Sequence, residues 1–406
     1  MEETKTRIRR RFILFQLLAF GSFAPMNYYN IYLKSIGFDS TRISIFGSVG
    51  SIIAMTTLPI WGIVSDKIGS PKKMYIVSMV VFGVVFALFP TAGKMAETMI
   101  PLYVLIVIYS LVKQPTHSLQ DAWMVGTSRA YGINYSSIRM WGSFGFAVVA
   151  IFNGIITEYT GSASVFYITP MLVIPLIFLC LRSKDDEMTK VAVTATPKAA
   201  KMKPWILFKN YYLVTAFIIT VLLGCYGAFI TPFYPYILEH AGVSPDRYGL
   251  ISGYGAFVQV FVMMFLTKFC KNVPLYTQLI FAGLFSIVES IMYAVASNIW
   301  MMFAAGTFWG VAMAMNVSIL PSYIVSLVPR GYTATAMSIN GSIAMMLTII
   351  GNFIGGYLVA SLGIETYMYG VAVLKLSLAV LFALSLLIGK KVLRITHYDP
   401  ALESKN

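Results

Sequence analysis

Apolar runs of about twenty residues or more follow one another along most of the chain, far more apolar surface than a water-soluble core can hide. They fall near 10–33, 42–65, 73–92, 98–128, 135–158, 164–182, 207–238, 246–269, 275–297, 300–328, 333–362 and 366–389. As a helix, each is long enough to cross a hydrocarbon layer about 30 Å thick. Composition agrees: 58% of residues are hydrophobic, 11% are charged, and the mean hydropathy is +0.76. The expected fold is an all-α membrane protein of twelve transmembrane helices in a lipid bilayer. No small-residue cleavage site follows the basic N-terminal start, so the first run is expected to stay as a span.

The formal charge of +14 suggests a nucleic-acid partner only until the basic residues are placed. An even number of spans puts both termini on one side. That side then collects 23 Lys and Arg, from Lys5, Arg7 and Arg9 through Lys67, Lys72 and Lys73 to Lys390 and Lys391. The opposite side holds four, namely Lys34, Arg42, Lys94 and Arg247, and Lys113, Arg139 and Lys375 lie within spans. The bias predicts cytoplasmic termini in the plasma membrane and excludes a nucleic-acid partner. Cys180, Cys225 and Cys270 sit within or at the end of apolar runs and imply no disulfide framework.

Residues 183–206 form the longest polar connection and read as a cytoplasmic linker between bundles at 1–182 and 207–389, with a tail at 390–406. The halves echo each other: Tyr29/Tyr234, Gly37/Gly242, Arg42/Arg247 and Gly50/Gly255 share an offset of 205 residues. Two pseudo-symmetric six-helix bundles with a site at their interface are a recurring transporter plan.

The most unusual stretch for a membrane chain runs from Lys113 to Trp123. Lys113, His117 and Asp121 are spaced to share one helix face. Arg139 opens the next run. With a turn near Ala130, Asp121 and Arg139 each lie roughly 13 Å from it, near mid-membrane. Ionisable groups at that depth are costly and face a partner or a watery cavity. They read either as a structural ion pair or as groups that bind solute and respond to protons. His117 is one turn from Asp121 and titrates near neutrality in water, so it is a proton-site candidate or a bundle hydrogen-bonding group. Lys113 reads either with them or as a side chain reaching the interface. Glu289 and Lys375 sit at similar depth in later runs, as a mutual pair or with Glu289 as an inward proton acceptor. Asn27, Tyr28, Tyr226, Tyr254, Gln259, Trp309, Asn316 and Asn340 together suit a neutral or zwitterionic polar solute with a flat face. Gly142, Gly145 and Gly355 are expected to let helices approach closely.

Between the second and third runs, Gly62, Asp66, Lys67 and Gly69 precede Lys72 and Lys73. This resembles the loop signature of the major facilitator superfamily, departing at Ser70 where a base is usual. The resemblance implies a major facilitator fold and a gating role for that loop. The 18-residue separation of Asp121 and Arg139, followed by Met140-Trp141-Gly142-Ser143-Phe144-Gly145-Phe146, resembles the lactose-permease type of proton-coupled sugar and nucleoside symporters. It implies solute binding by Asp121 and Arg139, with Phe146 stacking on the solute. It stops at the tenth run, where residues 307–320 contain no His or Glu.

No phosphate loop, metal-ligand cluster or nucleophile motif appears, so neither an enzyme nor a metal or cofactor is expected. The expected function is a monomeric secondary transporter. It would import a small polar organic solute with protons by alternating access, a sugar or oligosaccharide first and a nucleoside or small aromatic acid next. A drug exporter would usually carry a glycine-proline signature in the fifth run, and residues 140–156 hold no proline. A membrane sensor would need a signalling domain larger than the 390–406 tail.

Overall fold

The computed structural model describes residues 2–95, 99–131, 133, 135–183, 204–270, 272–328 and 333–395. Most of the expected linker lies outside them. Among the described residues all regular structure is helical. The α-helices are α1 (Glu2–Phe23), α2 (Tyr29–Ser35), α3 (Ser40–Ile68), α4 (Pro71–Lys94), α5 (Ile100–Ala130), α6 (Tyr135–Thr160) and α7 (Ile168–Arg182). They continue as α8 (Tyr211–Cys225), α9 (Tyr234–His240), α10 (Tyr248–Phe269), α11 (Leu275–Val295), α12 (Ile299–Ser326), α13 (Thr333–Leu362) and α14 (Ile364–Leu387). A 3-10 stretch, Ala24–Tyr28, joins α1 to α2, and a π turn, Tyr226–Ile230, followed by Thr231–Phe233 joins α8 to α9. Twelve rods result.

Ten of them are long and apolar enough to cross a membrane. The others are α1, with its arginine-rich start, and α5, which carries Lys113, His117 and Asp121. The lipid-facing pattern is plain on α7, where exposed Met171, Ile174, Phe178 and Leu181 recur at helical spacing.

By contacts the chain divides into two compact units. Met1–Pro197 with Ser244–Phe257 form one, and Lys198–Val243 with Val258–Asn406 form the other. In the first, α1 packs on α6 and α7, α4 on α5 and α7, and α3 on α5. Buried Phe82, Phe86, Phe89, Tyr109 and Phe166 form an aromatic core there. In the second, α11 packs on α12 and α14, and α8 on α13 and α14, around Leu213, Leu222, Leu279 and Ile324.

Two local structures explain sequence features seen earlier. Gly37 and Gly242 both adopt positive φ, +95° and +64°. At each, the next residue's N–H bonds back five residues, Phe38 to Leu33 O and Val243 to Leu238 O, and the glycine's own N–H bonds back three. These are Schellman caps, which a side chain at the glycine would strain. They share the 205-residue offset. Ser70, where the loop signature departs, caps α4: its Oγ accepts from Lys73 N at 3.3 Å, and Pro71 takes the first helical position. The base usual in the signature gives way to a helix cap.

In the first unit α1 approaches α6 closely. A methyl added at Gly145 would stand 2.5 Å from Leu17 O, and one at Gly142 the same distance from Phe20. Gly145→Ala should therefore push α1 away and lower stability by about 1–3 kcal/mol in thermal unfolding. Gly62→Ala, with nothing within 4 Å of the new methyl, should leave stability unchanged within about 0.5 kcal/mol.

Candidate functional site

The polar stripe of α5 arises from a packed helix with one open face. Pro115, Thr116, Leu119, Gln120, Trp123 and Met124 are buried, whereas Lys113, Ser118 and Asp121 remain exposed and His117 partly so. Pro115 sits inside the stripe and donates no backbone bond to the preceding turn. Next to it, Thr116 Oγ1 donates to Val112 O at 2.6 Å. The packed face is held by Trp123, whose ring meets Phe15 edge-on at 4.9 Å, and by Gln120 Nε2 donating to Gln16 Oε1 at 3.2 Å. These contacts pin the open face in rotation, so the ionisable groups cannot turn into the core.

His117 lies against aromatic rings of α1, its centroid 4.2 Å from that of Phe23 and 6.3 Å from that of Phe20. Arg139 reaches the same place from α6: its guanidinium carbon is 3.9 Å from the Phe20 centroid. Phe20 is thus a shared plate between imidazole and guanidinium, and the bare surface of Gly142 gives it room. Arg139 makes a cation–π contact with Phe20. Phe146 is half-buried two turns along α6, on the same face as Arg139. Lys113 Nζ is 5.6 Å from the Tyr109 ring. Asn27 is half-buried in the 3-10 stretch. Tyr28 is buried, accepting from Gly249 N at 2.8 Å and donating to Asp246 O at 3.3 Å, so its hydroxyl is already engaged.

The loop signature is partly accounted for. Gly69 takes positive φ, +66°, at the end of α3. Lys67 and Lys73 are exposed, while Lys72 is buried, donates to Ser183 O at the end of α7 and lies 6.0 Å over Trp123. The Asp66 side chain lies outside what is described.

In the second unit, Glu289 of α11 and Lys375 of α14 meet, Nζ to Oε2 at 3.3 Å, with 1% and 0% of their side chains exposed. Lys375 also donates to Ser286 O at 3.0 Å. Glu289 lines a pocket with Ser286, Leu223, Tyr226, Trp309, Ala312, Met313 and Asn316. Tyr226 and Trp309 face each other with centroids 5.4 Å apart. Asn316 Nδ2 is 4.0 Å from Met313 Sδ. Tyr254 is exposed on α10. No group of three or more metal-ligating side chains occurs among the described residues.

Phe20, Phe23, Gln16 and Ser286 are partners that sequence reasoning missed. Ser286 had a signal, standing three residues before Glu289 on the same helix face. Phe20 and Phe23 had none, being two phenylalanines among 28.

A buried pair with this geometry is costly to break. Glu289→Gln should strand the Lys375 ammonium and cost about 3–5 kcal/mol. Adding Lys375→Met should recover most of that loss. The check is a double-mutant cycle by thermal unfolding, in which additive losses would show that the residues do not interact.

Comparison with known proteins agrees with this architecture. A family model described as MFS_1 like family matches residues 9–370. The uncharacterized transporter YwbF of Bacillus subtilis (strain 168) is 24% identical over 359 residues, covering 86% of this chain and 85% of that protein. Maltose permease of Geobacillus stearothermophilus is 22% identical over 352 residues, covering 84% and 85%. A crystal structure of a mutant of the nucleoside transporter NupG superposes with a TM-score of 0.75 at 18% identity, covering 93% of this chain and 99% of that one. The chain belongs to the MFS_1 like family and is a multi-pass major facilitator transporter, not an enzyme.

Proposed function

We propose that this transporter is a proton-coupled symporter that imports a small polar organic solute by alternating access. A sugar or oligosaccharide is the first choice, and a nucleoside or small aromatic acid the next. The observation that carries the reading is the open stripe of Lys113, His117 and Asp121 on a packed helix, with Arg139 held on Phe20 beside His117. Charges at mid-membrane depth that stay accessible are ligand or proton groups by default.

The chemistry suits a hydroxylated solute. The Asp121 carboxylate accepts hydrogen bonds from hydroxyls, the Arg139 fork donates two in a plane, and Phe146 offers a stacking face. Asp121, His117 and Glu289 are the proton-coupling candidates. Lys72, in the first turn of α4, ties the short α3–α4 connection to the end of α7, which fits a gating role for the Gly62–Lys73 stretch. The name of the permease relative, for maltose, agrees with a sugar. The reading further places a monomer in the plasma membrane with both termini cytoplasmic.

Reconstitution into liposomes tests this. Uptake of labelled maltose, sucrose or uridine should accelerate when the outside is acidified and collapse with a protonophore. Asp121→Ala and Arg139→Ala should each weaken solute binding at least a hundredfold while thermal stability is kept. Arg139→Lys should not rescue, because a point charge lacks the fork. Near-normal affinity in both alanine variants would reduce the cluster to structure. Solute expulsion driven by an inward proton gradient would reverse the direction of transport.

A further inference from the structure

The Glu289–Lys375 pair is not closed. Lys375 occupies Glu289 Oε2, while Glu289 Oε1 is buried without a hydrogen-bond partner. Trp309 lines the same pocket as Glu289, and its indole N–H is also buried without a partner. One orphan acceptor and one orphan donor therefore belong to residues that line the same small space, with the Tyr226 and Trp309 rings packed on each other beside it. Each orphan carries a desolvation cost until something fills the gap. The free space suits one water-sized group.

The missing group must offer a donor to Glu289 Oε1 and an acceptor to Trp309 Nε1. A hydroxyl does both. An ammonium offers no acceptor, and it would meet a carboxylate already neutralised by Lys375 at 3.3 Å. An anion would meet the carboxylate. We propose that this pocket of the second unit is a hydroxyl-recognition subsite, taking one hydroxyl of a sugar or ribosyl ring. Lys375 is a positioning residue: by holding Oε2, and being held by Ser286 O at 3.0 Å, it presents Oε1 to the pocket. In the absence of solute a water takes the hydroxyl's place. The assignment rests on the solute class read above, but on different residues.

The full-length protein in detergent, titrated with maltose, uridine and the hydroxyl-free base uracil by calorimetry, tests it. With uracil binding as the control for lost packing, Trp309→Phe keeps an aromatic face and removes the N–H together with the fused five-membered ring. It should weaken whichever of maltose and uridine binds by about tenfold, the loss expected for one buried hydrogen bond. The variant should still unfold in one cooperative thermal transition, and uracil should bind the two proteins alike. Glu289→Leu combined with Lys375→Met removes the acceptor without stranding a charge and should show at least the same loss. Unchanged affinity in Trp309→Phe would mean that the pocket holds only water, and the subsite falls while the transport reading stands. Failure of the wild type to bind either maltose or uridine would also overturn the subsite. Uptake of some other polar solute that depends on Asp121 and Arg139 would then leave the transport reading intact.

Discussion

Hydrocarbon offers no hydrogen bonds, and the rest of this structure follows from that constraint. Backbone groups must be satisfied within the chain, so the described rods are helical, and where a helix is broken a side chain supplies what the backbone lost. The π turn at Tyr226–Ile230 shows this: Tyr367 Oη donates to Phe229 O at 2.9 Å, and Thr231 Oγ1 to Tyr226 O at 3.2 Å. The same rule governs charge. Lys375 at 0% exposure is tolerable because a carboxylate and a carbonyl accept its hydrogen bonds. Lys72 is tolerable because Ser183 O and the Trp123 face receive it.

Small residues decide where functional groups meet. Gly142 and Gly145 let α1 press onto α6, and that contact brings Phe20 under the Arg139 guanidinium. Gly145 touches no ionisable group, yet it sets the separation of the two helices that carry Phe20 and Arg139. The Trp123 and Gln120 contacts do the complementary task of fixing which face of α5 stays open. Rigid packing on one side of a helix orients polar groups on the other.

Both units join helical fragments at an irregular segment, Ala24–Tyr28 in one and Tyr226–Phe233 in the other, each ahead of a short helix and a Schellman cap. Broken helices expose backbone and redirect side chains, which is how transporters build polar sites without charged clusters. In the first unit the irregular stretch spends Tyr28 on packing. In the second it leaves Tyr226 facing Trp309 beside the Glu289 pocket.

Much of this was legible in the sequence, because hydrophobic length and the cost of intramembrane charge act locally. The succession of apolar runs determined helices and spans. The i, i+4, i+8 spacing determined that Lys113, His117 and Asp121 share a face. The matched depth of Glu289 and Lys375 anticipated their contact. Only the tertiary structure decided what lies across from each group. Arg139 rests on Phe20, which one-dimensional spacing cannot see because the partner lies more than a hundred residues away on α1. Whether a carboxylate oxygen is satisfied depends likewise on three helices converging. The sequence could name Glu289, but only packing left one of its oxygens, and the N–H of Trp309 in the same pocket lining, without a partner.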